Sequence, residues 1–348
     1  MGWRILIIML FGLTSFAVSS LAQVEKETGR NSLFEGEEKL QIKLSADFTS
    51  LLKNKEDENY IPALISIRFS KKDAFERELR LKPRGYYRKM NCGFPPLMLN
   101  FKPDTLIVDD GKYVKVKLVS HCYDSDTYRD YVLKEYLIYK LYALISPYSL
   151  RVRMADIEYR DTGKRERNVD QLGFLIEPMD VFCERTDVIE IEGKYFNDAE
   201  INELEADRVA IFMYMIGNTD WRIKSGHNIK FLKIKNHRKE EVVPVPYDFD
   251  HAGLINTSYA LPSEWSEAER VTERDFTGRC RTFDTNYDVL IEDFLKVKEQ
   301  MLKTINEFEY LELKQRKRVF KFVEDFYEEL EKPERFKRNL HNSCMDRY

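Results

Sequence analysis

Residues 113–145 read YVKVKLVSHCYDSDTYRDYVLKEYLIYKLYALI. In 113–119 apolar and polar side chains alternate, the period of a half-buried strand. From residue 126 the period changes. Tyr128, Val132, Leu133, Tyr136, Leu137, Tyr139, Leu141 and Leu144 recur at helical spacing and give a broad apolar face over 126–145. Asp124 or Ser125 is placed to cap that helix. A strand passing into one long helix is the first structural unit, and the rest of the chain is arranged around it.

Upstream, residues 61–69 (IPALISIRF), 77–82 (RELRLK) and 96–101 (PLMLNF) also alternate and predict strands. Asp109-Asp110-Gly111 is a turn signal between 96–101 and 113–119. Strand-like runs follow at 151–159 and 172–177, while 24–58 begins polar and without a regular period. The second half is dominated by helical periodicity, at 198–216, 286–308 and 310–331. IKFLKI (229–234) and VVPVPYDF (242–249) form a strand pair. The expected fold class is α+β, with an antiparallel sheet and one long helix in 61–180 and a mainly helical part in 181–348. Residues 23–60 read as an N-terminal extension.

The composition excludes several classes. The chain has 348 residues, 43% hydrophobic, with 22 Phe and 20 Tyr, which is too apolar and aromatic for intrinsic disorder. A net charge of -4 gives no basic footprint for nucleic acid. The basic run Lys314–Arg318 is followed by acids and reads as a solvated helix face.

Residues 1–22 have the layout of a secretory signal peptide: Arg4, the apolar run Ile5–Leu13, then Ser20 and Ala22 before a cut at Gln23. No Cys follows the cut, so no lipid anchor is expected, and no later apolar run approaches the length of a membrane span. The expected location is secreted or periplasmic. In that setting the five cysteines are candidates for disulfides, with at least one left over. If 95–101 and 113–119 pair as an antiparallel hairpin, facing positions sum to about 214. Cys92 and Cys122 have that sum, so this pair is the expected bridge, with Cys183 and Cys280 as rival partners.

The densest polar cluster is GNTDWRIKSGHN (217–228), followed by PVPYDFDHAG (244–253). A hairpin between them would converge Asp220, Asn228, Asp248 and Asp250. One carboxylate can take a hydroxyl proton, while an amide oxygen and a second carboxylate suit Mg²⁺, a division of labour used in phosphoryl transfer. Asn, Asp and Gly are also ordinary turn residues. Lys115 and Lys117 share one face of their strand, and Glu135 on the following helix is a possible partner for a phosphate-gripping lysine.

In their order, these segments resemble the spore-coat H (CotH) family of atypical secretory kinases. The resemblance rests on KPRGYYR (82–88) with PPLMLNF (95–101), on VKLVSHCYDSDTYRDYVLKEYL (116–137), on GFLIEPMD (173–180), on NTDWRIKSGHN and on DFD (248–250). It covers about residues 75–255 and leaves the helical C-terminal third unmatched. It implies a two-lobed protein-kinase-like fold and use of ATP with Mg or Mn. It also implies Asp220 as catalytic carboxylate, and Asn228 and Asp248 as metal ligands with Asp250 sharing or replacing Asp248. Lys117 would bind phosphate with Glu135 as its partner. Glu177 would mark the strand between lobes, and Arg84 would touch phosphates. No Gly-rich GxGxxG loop is present, and Lys115 competes with Lys117. The acceptor, whether protein, glycan or small molecule, is left open. The alternative is an inactive pseudokinase serving as an extracytoplasmic binding or structural module.

Overall fold

Alternation decides the first strand. In LQIKLSA, the residues Leu40, Ile42, Leu44 and Ala46 are buried and those between them face outward, which makes β1 (Leu40–Ala46). The same logic gives β2 (Ile61–Arg68), β3 (Ala74–Pro83), β4 (Leu97–Phe101), β5 (Lys115–Val119), β6 (Val152–Asp161) and β7 (Asn168–Ile176). This computed structural model describes residues 33–57, 59–69, 74–101, 114–164, 168–191, 200–235 and 241–345. The expected signal peptide at 1–22, the turn Asp109–Gly111 and the start of the helix expected at 198 lie outside the described residues. Residues Asn31–Tyr348 form one unit.

The seven strands close on themselves in the order β1-β2-β3-β4-β5-β7-β6. Neighbours run antiparallel except β1 and β6, which pair in parallel from Leu40↔Ala155 to Ala46↔Asp161. This closed mixed barrel overturns the expected two-lobed protein-kinase-like fold with its antiparallel N-terminal sheet. The physical reason is β1. It lies in the segment read as an extension, and it supplies the ladder partners that leave neither β2 nor β6 with a free edge. The second half is not simply helical either, because β8 (Val188–Glu190), β9 (Ile229–Ile234) and β10 (Val242–Pro246) form a separate three-stranded sheet in the order β10-β9-β8.

Two apolar cores result. One fills the barrel with inward side chains such as Ile42, Ile65, Leu99, Leu118 and Leu175. The other lies on the outer face of β6 and β7, where Met154 and Phe174 meet the long helix, and it continues into the helical half. Short α1 (Phe48–Lys53) and α2 (Tyr87–Asn91) attach to the barrel, and α3 (Asp126–Tyr142) is the expected long helix. Then come α4 (Met179–Thr186), α5 (Glu203–Ile216), α6 (Thr285–Asn306), α7 (Leu313–Leu330) and α8 (Pro333–Ser343). The α5 sequence VAIFMYMI is buried on all sides, so its stability comes from packing rather than from an amphipathic stripe.

β4 and β5 pair with Leu97 opposite Leu118 and Met98 opposite Lys117, one residue from the register expected from sequence. Cys92 and Cys122 are bridged, with Cα atoms 4.7 Å apart. A second bridge joins Cys280 to Cys344, and Cys183 is free. Two disulfides fit an oxidising, extracytoplasmic setting. Among the described residues no helix is long and apolar enough to cross a membrane.

The Cys92–Cys122 bridge spans a sequence separation of 30. Chain entropy alone then assigns it roughly 3–4 kcal/mol. The Cys92→Ala/Cys122→Ala protein is expected to unfold in guanidinium with a deficit of that size. A deficit below about 1 kcal/mol would show that the folded state does not depend on the bridge.

Candidate active site

The site is built where α5 stops. Gly217, with φ 64°, takes the left-handed position that ends the helix. The Asn218 N–H donates to the Met213 carbonyl at 2.8 Å and Gly217 N–H to Tyr214 at 3.0 Å, closing off the last turn. The chain then leaves as Asn218-Thr219-Asp220, and the Asn218 side-chain oxygen accepts from Asp220 N–H at 2.8 Å.

The hairpin of β9 and β10 returns the second acidic loop to the same place. Ile229 faces Pro246, and beyond the ladder Tyr247 N–H donates to the Asn228 carbonyl at 3.1 Å. Gly253 N–H donates to the Gly217 carbonyl at 2.8 Å and Leu254 N–H to Ile216 at 3.0 Å, which ties the far end of that loop to the end of α5. Only glycine fits at 253, because a Cβ there would stand 2.2 Å from the Val271 carbonyl oxygen. The two loops singled out from sequence are therefore joined at both ends.

Asn228 and Asp248 both hold positive φ, 53° and 63°. Asn and Asp tolerate this region better than most residues, at a cost of order 1–3 kcal/mol in general. Such strain in the loops that carry the polar cluster is a reason to read them as functional rather than as turns alone. The Asp248 N–H is held by the Tyr139 hydroxyl of α3 at 3.1 Å.

Asp220 is oriented from two sides. His227 Nε2 lies 2.8 Å from one carboxylate oxygen, and the Asn228 amide donates to the other at 3.0 Å and to the Asp220 carbonyl at 2.7 Å. Burial pushes the Asp220 carboxyl up, but the His227 hydrogen bond, the nearby His251 and the Asn228 amide outweigh it and hold it below the usual carboxylate range. His227 moves the other way, raised chiefly by its bond to Asp220. Asp220 is thus an ionised, aimed carboxylate with a half-exposed imidazole against it.

Beside it lies a buried charge cluster that the sequence analysis did not assemble. Arg88, from α2, is buried and reaches Glu135 of α3 at 3.3 Å, while its other nitrogen donates to the Ser120 carbonyl at 2.7 Å. Burial opposes the Arg88 charge, but Tyr259, Glu135, Asp250 and Asp248 together hold it positive. Burial pushes Glu135 up; Arg88 opposes that, and Asp250 and Asp248 add to it. Asp250 is likewise raised, by burial and then by the Asp248 charge, and accepts from the Tyr259 hydroxyl at 3.0 Å. Arg88 stays charged, because three carboxyls surround its guanidinium. Arg84 beside Glu135 and Lys117 beside Asp248 add two further cations to the same surroundings.

The oxygen donors here decide whether a metal fits. Among the described residues no three His, Cys, Asp or Glu side chains stand together as a ready cage. Mg²⁺ commonly takes only one or two carboxylates, with waters and phosphates completing its shell. Asp248, Asp250 and the Asn228 oxygen are hard oxygen donors on the two joined loops, so Mg²⁺ or Mn²⁺ is compatible with the residues present.

The remaining expected residues divide. Lys117 lines a cleft of about 400 Å³ with Lys115, Glu177, Met179, Lys230 and Tyr247. Its ammonium lies 5.2 Å from the Tyr247 ring, and burial, with Arg84 and Lys230, lowers it to about 8. Asp248 acts on the same ammonium in the opposite sense, which places Lys117 near the acidic loop. Lys115 lines the same cleft but is exposed. The expected Lys117–Glu135 pair does not form, because Glu135 turns to Arg88. Glu177 is buried, and Arg185 holds it at 2.8 Å while it also accepts from Arg151 N–H. Its carboxylate is committed to the fold, although it lines the cleft. Arg84, whose N–H donates to Pro96, adds its charge to the surroundings of Lys117 and Glu135. Arg88 and His227 were the omissions. Both lie inside segments quoted from the sequence, and the disulfide that carries α2 to the end of β5 was the one signal that could have brought Arg88 in.

No family model matches the chain, and no curated protein matches it.

Proposed function

We propose that the protein is a secreted phosphotransferase of the spore-coat H (CotH) type. It moves phosphate, or another part of ATP, to an acceptor with the help of Mg²⁺ or Mn²⁺. The observation that carries this reading is the pairing of an ionised, doubly oriented Asp220 with Asp248 and Asp250, carried to the same place by the β9–β10 hairpin. Asp220 would take the proton of the acceptor hydroxyl. Asn228, Asp248 and Asp250 would hold the metal, which supplies charge neutralisation at the phosphates. Lys117 and Arg84, at the cleft side, would meet phosphate oxygens. The signal peptide at 1–22 and cleavage before Gln23 belong to the same reading.

The test is incubation of residues 23–348 with labelled ATP and Mg²⁺ or Mn²⁺, read as self-labelling and as a thermal shift. A ligand at 100 times its Kd adds about 2.7 kcal/mol of stability. Because Lys117 is cationic below about 8, the shift is expected to weaken as pH rises through that value. Metal-dependent binding without turnover would make the protein a pseudokinase. Absence of both binding and labelling would reject the reading.

A further inference from the structure

A run of tyrosine rings crosses the surface beside the acidic cluster. Tyr123 stacks edge-on to Tyr128 at 5.0 Å, Tyr128 to Tyr131 at 5.3 Å, and Tyr131 to Tyr259 at 6.4 Å. Tyr259 then meets Tyr87 at 5.3 Å, and its hydroxyl is the one that donates to Asp250. Tyr87 comes from α2, Tyr123 from the loop after β5, Tyr128 and Tyr131 from the start of α3, and Tyr259 from the loop after Asp250. Tyr86, Tyr87, Met90 and Tyr123 are all exposed here, Tyr86 to 84%.

Apolar surface left in water needs a reason, and grouped exposed aromatics mark contact surfaces. This group is also rigid. The Cys92–Cys122 bridge clamps its base. The Tyr123 hydroxyl donates to the Asn91 carbonyl at 2.7 Å, and Lys55 donates to the carbonyls of Met90 and Cys92. Rigid aromatic side chains lose little conformational freedom on binding.

The neighbouring surface indicates what the rings meet. The same start of α3 lines an open basin of about 1060 Å³ on the outer face of β1, β6 and β7. Lys43, Arg68, Arg129 and Arg160 stand there among five carboxyls, from Asp124 to Asp170, and the Gln41 and Gln171 amides donate to two of these, Asp156 and Asp124, leaving their carbonyl oxygens as acceptors. The charges nearly balance, which disfavours a polyanion or an anionic membrane. A ligand with electron-poor C–H faces and many hydroxyls suits both parts. Its ring faces pack on tyrosine π-faces, and its hydroxyls bond to carboxylates, amides and guanidinium groups.

We propose that the tyrosine run and the adjoining polar basin form a binding track for a neutral glycan chain, leading to Asp250. As an acceptor subsite it rests on the phosphotransferase reading, because it would deliver a sugar hydroxyl to Asp220; as a glycan-binding surface it does not.

The experiment uses residues 23–348 and a panel of cellohexaose, laminarihexaose, maltohexaose, mannohexaose and chitohexaose, followed by calorimetry. At least one hexaose is expected to bind. Tyr128→Ala and Tyr123→Ala should each weaken it at least tenfold, and Tyr128→Phe, which keeps the ring, should restore most of the affinity. Circular dichroism of each variant checks that it is folded. No binding by any hexaose, or binding indifferent to both tyrosines, overturns the track. So does tyrosine-dependent binding to phosphatidylcholine–phosphatidylglycerol vesicles, or tyrosine-dependent dimerisation, in place of sugar binding. Hexaose binding in a protein that never turns over ATP removes the enzyme and keeps the track. Labelling without hexaose binding does the reverse.

Discussion

Asp220→Asn is expected to lower transfer to the acceptor by on the order of 10²–10⁴-fold, the usual worth of a positioned general base. The exchange keeps the shape of the side chain and removes its charge. His227 and the Asn228 amide both point at the carboxylate oxygens, so the loop is already arranged around a negative group. Asp220 is partly exposed, and its contribution to stability is correspondingly small. The sign of that contribution is fixed. A carboxyl held below its usual range stabilises the fold above that range, and the benefit disappears as pH falls through the folded-state value. The variant is therefore expected to melt within a few degrees of the wild type near pH 7. If metal and nucleotide binding persist while turnover is lost, the defect lies in the chemical step. Unchanged turnover would move the base elsewhere, with His227 the first candidate because it touches the same carboxylate.

The parts of this structure that were legible in the sequence are those whose information is local. In 113–145 the change from alternation to helical spacing locates β5 and α3, because burial on one face forces each period. Asp220, Asn228 and Asp248 converge because a short hairpin joins their loops, and strand pairing between neighbours in sequence is the easiest to read. The Cys92–Cys122 bridge was legible from a different hairpin, β4–β5, because the one-residue difference in its register still leaves the two cysteines side by side beyond the strand ends. Barrel closure was a different matter. LQIKLSA does alternate, but nothing within seven residues says that Leu40 will sit opposite Ala155 in parallel. That pairing is set by which strands still have open edges after the rest has formed. Arg88 was hidden for a related reason. It lies in the five-residue helix α2, which is too short to show a period, and its partner Glu135 is 47 residues away on α3, beyond β4 and β5. Glu135 looked available to Lys117 because strand and helix are adjacent in sequence. The guanidinium takes it instead, since Arg88 can bond both the carboxylate and the Ser120 carbonyl.

Arg88→Ala is expected to be the most destabilising single change in the candidate site, at about 3–5 kcal/mol, the general cost of removing one partner from a buried ion pair. Three losses coincide. Glu135 loses its charge partner at 3.3 Å, the Ser120 carbonyl loses its donor at 2.7 Å, and Asp248 and Asp250 lose the guanidinium that attracts them. The pH dependence discriminates this account from simple loss of packing. Arg88 opposes the upward push on Glu135, so its removal raises that carboxyl further. A group whose folded-state value is raised stabilises the fold below its unfolded value, and that benefit is lost as pH rises through the folded value. The Arg88→Ala deficit should therefore grow as pH rises above about 8, and be larger at pH 9 than at pH 6, measured by urea unfolding at each pH. Arg88→Ala/Glu135→Gln, which removes the stranded charge as well, should recover part of the loss at pH 9 and little at pH 6. A deficit independent of pH and unrelieved by the second substitution would mean that Arg88 contributes by filling space, and that the three carboxyls do not form the coupled cluster on which the metal assignment rests.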